Sequence, residues 1–232
     1  MYLLEGVPAP DHATIARFIS LHFSACAKAL LAQMSDLLYL LGEISGKTIF
    51  IDGTKIESAA NKYTFVWKKA ITKNQVRLYT KLSSFVAECE ELYGIKTVYH
   101  KRISIHTLKR LKKQLCRIKV QEGIVFVHGI GRRKTQLQKS LEQLDQYLEK
   151  LKEYTKKLYT LGNRNSYSKT DPDATFMRMK EDAMLNGQLK PAYNIQHGVD
   201  SEYITWLDIS PRPTDTRTLI PFLKDMENHL GF

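Results

Sequence analysis

Six leucines place the tightest constraint on how this chain can fold. Leu137, Leu141, Leu144, Leu148, Leu151 and Leu158 recur at heptad spacing, with Thr155 filling the one gap in the seam. Such spacing returns a side chain to the same helical face every turn or two, so it predicts a long helix whose apolar face must be covered. The preceding segments carry the same period: Val76, Tyr79, Leu82, Val86, Cys89 and Tyr93, then Leu108, Leu111, Leu115 and Ile118. Three helices packed on one another, or paired with a second chain as a coiled coil, would satisfy these faces.

The flanks follow other rules. Asp11 is placed to cap a first helix on which Ile15, Phe18, Ile19 and Phe23 share a face, and a second helix is expected over Ala25 to Leu41. In Lys47 to Asp52 the consecutive apolar residues Ile49, Phe50 and Ile51 predict a short strand buried on both faces, ended by a turn at Gly53. Past the loop-rich Gly162 to Ser168, Tyr193 to Val199 alternates and Tyr203 to Ile209 is rich in strand formers. With Asp200 to Glu202 as the turn, these two read as a hairpin. Leu219, Leu223, Met226 and Leu230 mark a final helix, with Pro221 tolerated in its first turn. The order of helices, strand, helical insertion, two strands and helix predicts a mixed α/β fold.

Charge matters here because of where it lies. The formal charge is +11, yet residues 68–170 hold 24 Lys and Arg against 8 Asp and Glu, while the remainder is net acidic. This asymmetry suggests that the middle of the chain meets a polyanion. Candidate phosphate contacts are Lys109, Arg110, Lys112 and Lys113, then Arg132, Arg133 and Lys134, with Arg17 on the first helix. The run Val125 to Arg133 contains Gly129 and Gly131 but completes no nucleotide-binding pattern, and reads as a flexible basic connection. Cys26, Cys89 and Cys116 are too scattered for a disulfide framework or a structural zinc, and read as reduced thiols. The most apolar stretch, Ala25 to Leu41, is broken by Lys28, Gln33, Ser35 and Asp36. Neither a membrane span nor an export signal is therefore expected, and a cytoplasmic product is the default.

Four segments in fixed order carry a resemblance. They are Ala9 to Phe18, Phe50 to Glu57 continuing through Asn61 to Trp67, Asn165 to Ala174, and Leu189 to Gln196 continuing through Val199 to Tyr203. Together, and separated by the basic helical insertion, they resemble bacterial insertion-sequence transposases of the DDE type. The resemblance implies a partial ribonuclease-H-like fold comprising its first three strands and first helix. It divides the chain into an N-terminal helical segment over 1–45, a first strand within 46–67, a basic helical insertion over 68–164 and a continuation of the catalytic domain over 165–232. It implies Asp52 as the first catalytic and metal-binding carboxylate, with Mg²⁺ or Mn²⁺ as cofactor, transposon-end and target DNA as partners, and a homo-oligomer as the working form. Family members usually have sequence before the first motif. After the last helix they continue into a strand with the second Asp, which would lie beside Lys47 to Asp52, and later a helix with the Glu. The chain is accordingly expected to be an inactive, truncated form. The roles of Asp171, Asp173, Asp200 and Asp208 stay open, the last two also being considered as partners for Asp52 in a self-sufficient nuclease. A helical DNA-binding or oligomerising regulator without catalysis is the other alternative.

Overall fold

The computed structural model describes residues 10–99, 102–129, 131–179 and 187–230, so Ala9 of the first motif lies outside the described residues. In chain order the elements begin with α1 (His12–Phe18), a π-helical turn (Ile19–Phe23), α2 (Ser24–Leu40), β1 (Phe50–Glu57), β2 (Phe65–Trp67), α3 (Lys68–Tyr93) and α4 (Ile105–Gln121). They continue with α5 (Gln136–Leu161), β3 (Ser166–Ser168), β4 (Thr175–Arg178), β5 (Leu189–Asp200), β6 (Tyr203–Ser210), a 3₁₀ turn (Asp215–Arg217) and α6 (Leu219–Glu227). Two compact units result, one of residues 1–62 with 173–232, the other of residues 63–172.

In the helical unit, α5 starts where Thr135 Oγ1 accepts the Gln138 N–H at 3.2 Å, and it buries Leu137, Leu141, Leu144, Leu148 and Leu151. The seam is covered from within the same chain, by Leu78, Leu82, Phe85, Val86 and Cys89 of α3 and Leu108, Leu111 and Leu115 of α4. Phe85 meets Tyr147 edge-on at 5.5 Å and Tyr93 Oη bonds Ser140 Oγ at 3.1 Å, pairs that set α3 antiparallel to α5. Val76, expected on the packed face, is 60% exposed, because at 3.6 residues per turn it points about 200° away from the buried Leu78. Leu158 joins a second cluster with Val66, Ile71, Leu161 and Tyr167. That cluster sits under a two-stranded ribbon, β2 with β3, which pairs Phe65 with Ser168 and Trp67 with Ser166. The connection after α4, expected to be flexible, is instead anchored: buried Gln138 donates from Nε2 to the Val127 carbonyl at 2.8 Å and accepts the Val127 N–H at 3.1 Å.

In the other unit β5 is the central strand. It pairs antiparallel with β1 along one edge, and with β4 and then β6 along the other. The predicted hairpin forms with Ser201 and Glu202 as its two-residue loop, Ser201 adopting a left-handed φ of 56°. The first strand differs from its expectation. It begins at Phe50 and runs on to Glu57, and it is an outer strand among the described residues, with Phe50 70% exposed. Gly53 lies inside the strand, where a Cβ would come within 2.4 Å of Gln196 Nε2 and 2.6 Å of Asp215 Oδ1. Gly198, the partner of Trp206 beside a β-bulge, likewise leaves room for Ile49 and Phe222. Ala32 of α2, Trp206 of β6 and Phe222 of α6 form the buried core of this unit, with Leu31, Ile51, Met226 and Leu230 packed against it. Leu219 and Leu223 are instead exposed, so the buried face of α6 is set by residues 222, 226 and 230.

The N-terminal helices are continuous through the π turn, which corrects their reading as two separate elements. Asp11 caps α1 as its position suggests, accepting the Thr14 N–H at 2.7 Å. Ile15, Phe18, Ile19 and Phe23 are all exposed, contrary to their expected packed face. By length and composition alone, the stretch His12–Leu40 is long and apolar enough to cross a membrane. The expectation of no such segment rests on Ala25 to Leu41 only, whereas unbroken helix adds the apolar residues before it. Within α2, Ala32 and Ser35 are buried, and Ser35 Oγ donates to the Thr205 carbonyl at 2.7 Å.

The tight space over Gly53 yields a stability prediction. Gly53→Ala must displace the Gln196 and Asp215 side chains, and overpacking of this kind costs about 1–3 kcal/mol. Urea denaturation followed by tryptophan fluorescence should show a lowered midpoint; an unchanged midpoint would mean that the polar cluster above the strand yields freely.

Candidate functional site

Asp52 is the third residue of β1 and is exposed. Its Oδ1 accepts the Gly53 N–H at 2.9 Å, and its carbonyl lies 3.3 Å from His197 Nδ1 on the neighbouring strand. Register decides which acids share its face. Asp52 pairs with His197 and His197 with Leu207, whereas Gly53 pairs with Gln196 and Gln196 with Asp208. Side chains alternate along a strand, so Asp208, and Asp200 four residues beyond Gln196, belong to the face opposite Asp52. Among the described residues no group of three His, Cys, Asp or Glu side chains could hold a metal ion. A two-metal phosphodiester site needs several carboxylates, and the residues around Asp52 do not fit one; no metal-dependent step follows from them.

Both acids on the opposite face are already engaged. Asp200, 6% exposed, accepts the backbone N–H groups of Ser45 and Gly46 at 3.0 and 2.8 Å, and the hydroxyls of Ser45 and Ser201. Burial pushes its pKa up, but the bonds from Gly46, Ser45 and Ser201 prevail and hold it below the ordinary aspartate value. Asp208 lies 3.4 Å from Lys28 Nζ, which also binds Asp225 at 2.5 Å. Asp225 further accepts the Trp206 indole N–H at 3.2 Å, so Lys28 and Asp225 tie α2, β6 and α6 together. Desolvation acts against the charge on Lys28 and on Asp225, and their mutual bond outweighs it, raising the lysine and lowering the aspartate.

Asp200 therefore acts as a brace for the turn before β1, and its titration has a sign. A carboxyl with a lowered folded pKa adds stability above its unfolded value of about 3.9, and that stability is lost as pH falls through the folded value. Asp200→Asn should lower the urea midpoint at pH 7 and flatten its decline between pH 5 and pH 3. Parallel pH profiles for the two proteins would refute the brace.

Beside Asp215 the same face carries a polar cluster that sequence reasoning does not anticipate. Asp215 Oδ1 accepts from Asn194 Nδ2 at 2.7 Å and from Gln196 Nε2 at 3.0 Å, and both amides are buried. Asn194 Nδ2 also reaches the Arg212 carbonyl at 3.1 Å, so the cluster pins the loop that leads into α6. The alternation of Asn194 and Gln196 is the one local signal, but their partner lies 19 to 21 residues away.

The basic candidates separate into free and paired cations. Lys109, Arg110 and Lys113 are exposed on α4, as is Arg117 one turn further on, and α4 contains no acidic residue. Lys109, Lys113 and Arg117 flank an open concavity that also includes Cys116 and Val120. Lys112 instead binds Asp145 of α5 at 2.5 Å. Arg132 and Arg133 are exposed, whereas Lys134 binds Glu142 at 2.6 Å and, with Gln138, holds that carboxylate below the ordinary glutamate range. Arg17 is exposed on α1 in the other unit. A second basic row is missed by the sequence reading: Lys69, Lys73, Arg77 and Lys81 are exposed on α3 at four-residue spacing.

No protein family, characterised protein or solved structure matches this chain. The likeness to transposases rests on the four motifs alone.

Proposed function

We propose that this chain is part of an insertion-sequence DDE transposase, in which the unit built on β1, β5 and β6 belongs to a ribonuclease-H-like domain and the helical unit is a DNA-binding insertion. The observation that carries the reading is the strand order β6–β5–β1, antiparallel throughout, with Asp52 on β1, a helix following β6, and a basic helical unit inserted between β1 and β4. In the ribonuclease-H-like arrangement the outer edge of β1 receives a further strand that brings a second Asp beside the first. Asp52 lies on β1 itself, on the face away from α2 and α6. DNA recognition falls to the exposed cations of α4 and to Arg132 and Arg133, which neutralise phosphates without reading bases.

The scaffold alternative loses its main support, because the leucine seam that would recruit a second chain is covered by α3 and α4. The self-sufficient nuclease is disfavoured because Asp200 and Asp208 lie across the sheet from Asp52. The test is fluorescence anisotropy of the whole chain with a 20-base-pair duplex of arbitrary sequence. Binding at 50 mM salt that falls steeply by 200 mM is expected, as counterion release requires. Absence of binding at 50 mM salt would sink the reading.

A further inference from the structure

We infer that α3 and the β2–β3 ribbon form a second nucleic-acid surface, one that takes unpaired strands; this rests on reading the helical unit as a DNA-binding module. Lys69, Lys73, Arg77 and Lys81 are all exposed and none joins an ion pair among the described residues. One step of four residues advances about 6 Å along a helix, so the row presents four cations over about 18 Å. No acid interrupts the sequence from Ser58 to Ala87. The contrast with α5 is one of composition: Glu142, Asp145, Glu149 and Glu153 are interspersed with its lysines, and three of these acids engage Lys134, Lys112 and Lys157.

Helix energetics do not explain the row. Like charges four residues apart repel, and a helix favours anions at its N-terminus and cations at its C-terminus. Helix α3 has the opposite polarity: Lys68 and Lys69 open it, and Glu88, Glu90 and Glu91 stand near its end. Positive charge is thus concentrated where the helix dipole already attracts anions, and the helix is less stable for it. A bound polyanion reverses that penalty.

The ribbon identifies which polyanion. Immediately before α3 in sequence, Tyr63 is 76% exposed and Phe65 49% exposed, the Phe65 ring lying 6.1 Å from that of Trp67, so aromatic surface is offered next to the residue that opens the lysine row. Phosphates tracking along lysines while bases stack on aromatic rings is the usual chemistry of single-strand binding. Bases inside a duplex have their faces covered by their neighbours, so ring stacking selects unpaired segments. An acidic protein surface would use the cations and leave the rings idle.

The test is anisotropy of the whole chain with a labelled 20-nucleotide oligothymidylate and, separately, a 20-base-pair duplex. The variant K69Q/K73Q/R77Q/K81Q should weaken oligothymidylate binding at least about tenfold and reduce the log–log salt slope by about 3, since each single-strand phosphate left without its cation removes about 0.7. Tyr63→Ala, alone and with Phe65→Leu, should weaken oligothymidylate about tenfold without changing the salt slope or duplex affinity. Circular dichroism confirms that each variant is folded, and Tyr63→Ala, at an exposed site, keeps the test open if the double variant is not. Wild-type affinity of both sets for oligothymidylate would overturn the inference. If neutralising α4 abolishes duplex binding while these variants behave as wild type, the inference fails and the DNA-binding reading stands. If the wild-type chain binds neither probe, that reading falls and takes the inference with it.

Discussion

Leu144→Asp is expected to abolish the cooperative unfolding of the helical unit. Leu144 is fully buried at the centre of the cluster formed by α3, α4 and α5. Loss of a buried leucine side chain costs about 2–5 kcal/mol, and the substitution also places an unpaired carboxylate among Leu82, Leu111 and their neighbours, worth several kcal/mol more. The sum is comparable with the total stability of an ordinary domain, about 5–15 kcal/mol. The control is Gln146→Asp, two residues further on the exposed side of α5, which adds the same charge to the same helix. Urea titration by circular dichroism at 222 nm should show a large loss of helix for Leu144→Asp and a near-wild-type midpoint for Gln146→Asp. Equal midpoints would mean that the seam is not the core of this unit. Because the seam is covered within the chain, wild-type helix content should also be independent of protein concentration.

Neutralising α4 is expected to have the largest effect on binding. The variant K109Q/R110Q/K113Q/R117Q removes four exposed cations from a helix with no acid, and each duplex phosphate that is no longer neutralised lowers the log–log salt slope by about 0.9. A slope reduced by about 3 to 4, with affinity at 50 mM salt down at least about 100-fold, is the anticipated anisotropy result. Lys112→Gln and Lys134→Gln provide the internal contrast. Their charges are already neighboured by Asp145 and Glu142, so each should change the slope by well under the about 0.9 expected for one unpaired cation. If each paired lysine matters as much, residue for residue, as the four exposed ones, the assignment of phosphate-binding cations from local pairing is wrong.

That contrast also separates what can be read along the chain from what cannot. In sequence Lys112 and Lys113 are equivalent, and only the packing of α4 against α5 brings Asp145 to the first of them. The helices themselves are legible because a 3.6-residue period records burial locally: Leu108, Leu111 and Leu115, or Leu137 through Leu151, announce their buried face without reference to any partner. Where one face is less regular the reading slips, as at Val76 and at Leu219 and Leu223, since a wide apolar face leaves several residues competing for the same core.

The sheet shows the division more sharply. Alternation and a polar turn identify the β5–β6 hairpin, because both strands and their two-residue loop are contiguous. The pairing of β2 with β3 joins residues about 100 positions apart, and no local pattern encodes such a partner. The same holds for Gly53, which reads as a turn because Asp-Gly is a common turn pair, but lies inside β1 opposite Gln196 of β5, with the Gln196 and Asp215 side chains filling the space that a Cβ would need.

For the candidate site, the motif and the short apolar run mark Asp52 from the sequence alone. Whether Asp200 and Asp208 could join it is settled only by register, where a shift of one residue moves a side chain to the other face of the sheet. What this sequence determined by itself is the set of helices, the hairpin and the location of its positive charge, all fixed by neighbours a few residues apart. Which carboxylates share a face, which lysines remain unpaired and what covers the leucine seam were decided by tertiary structure, because each depends on contacts between distant parts of the chain.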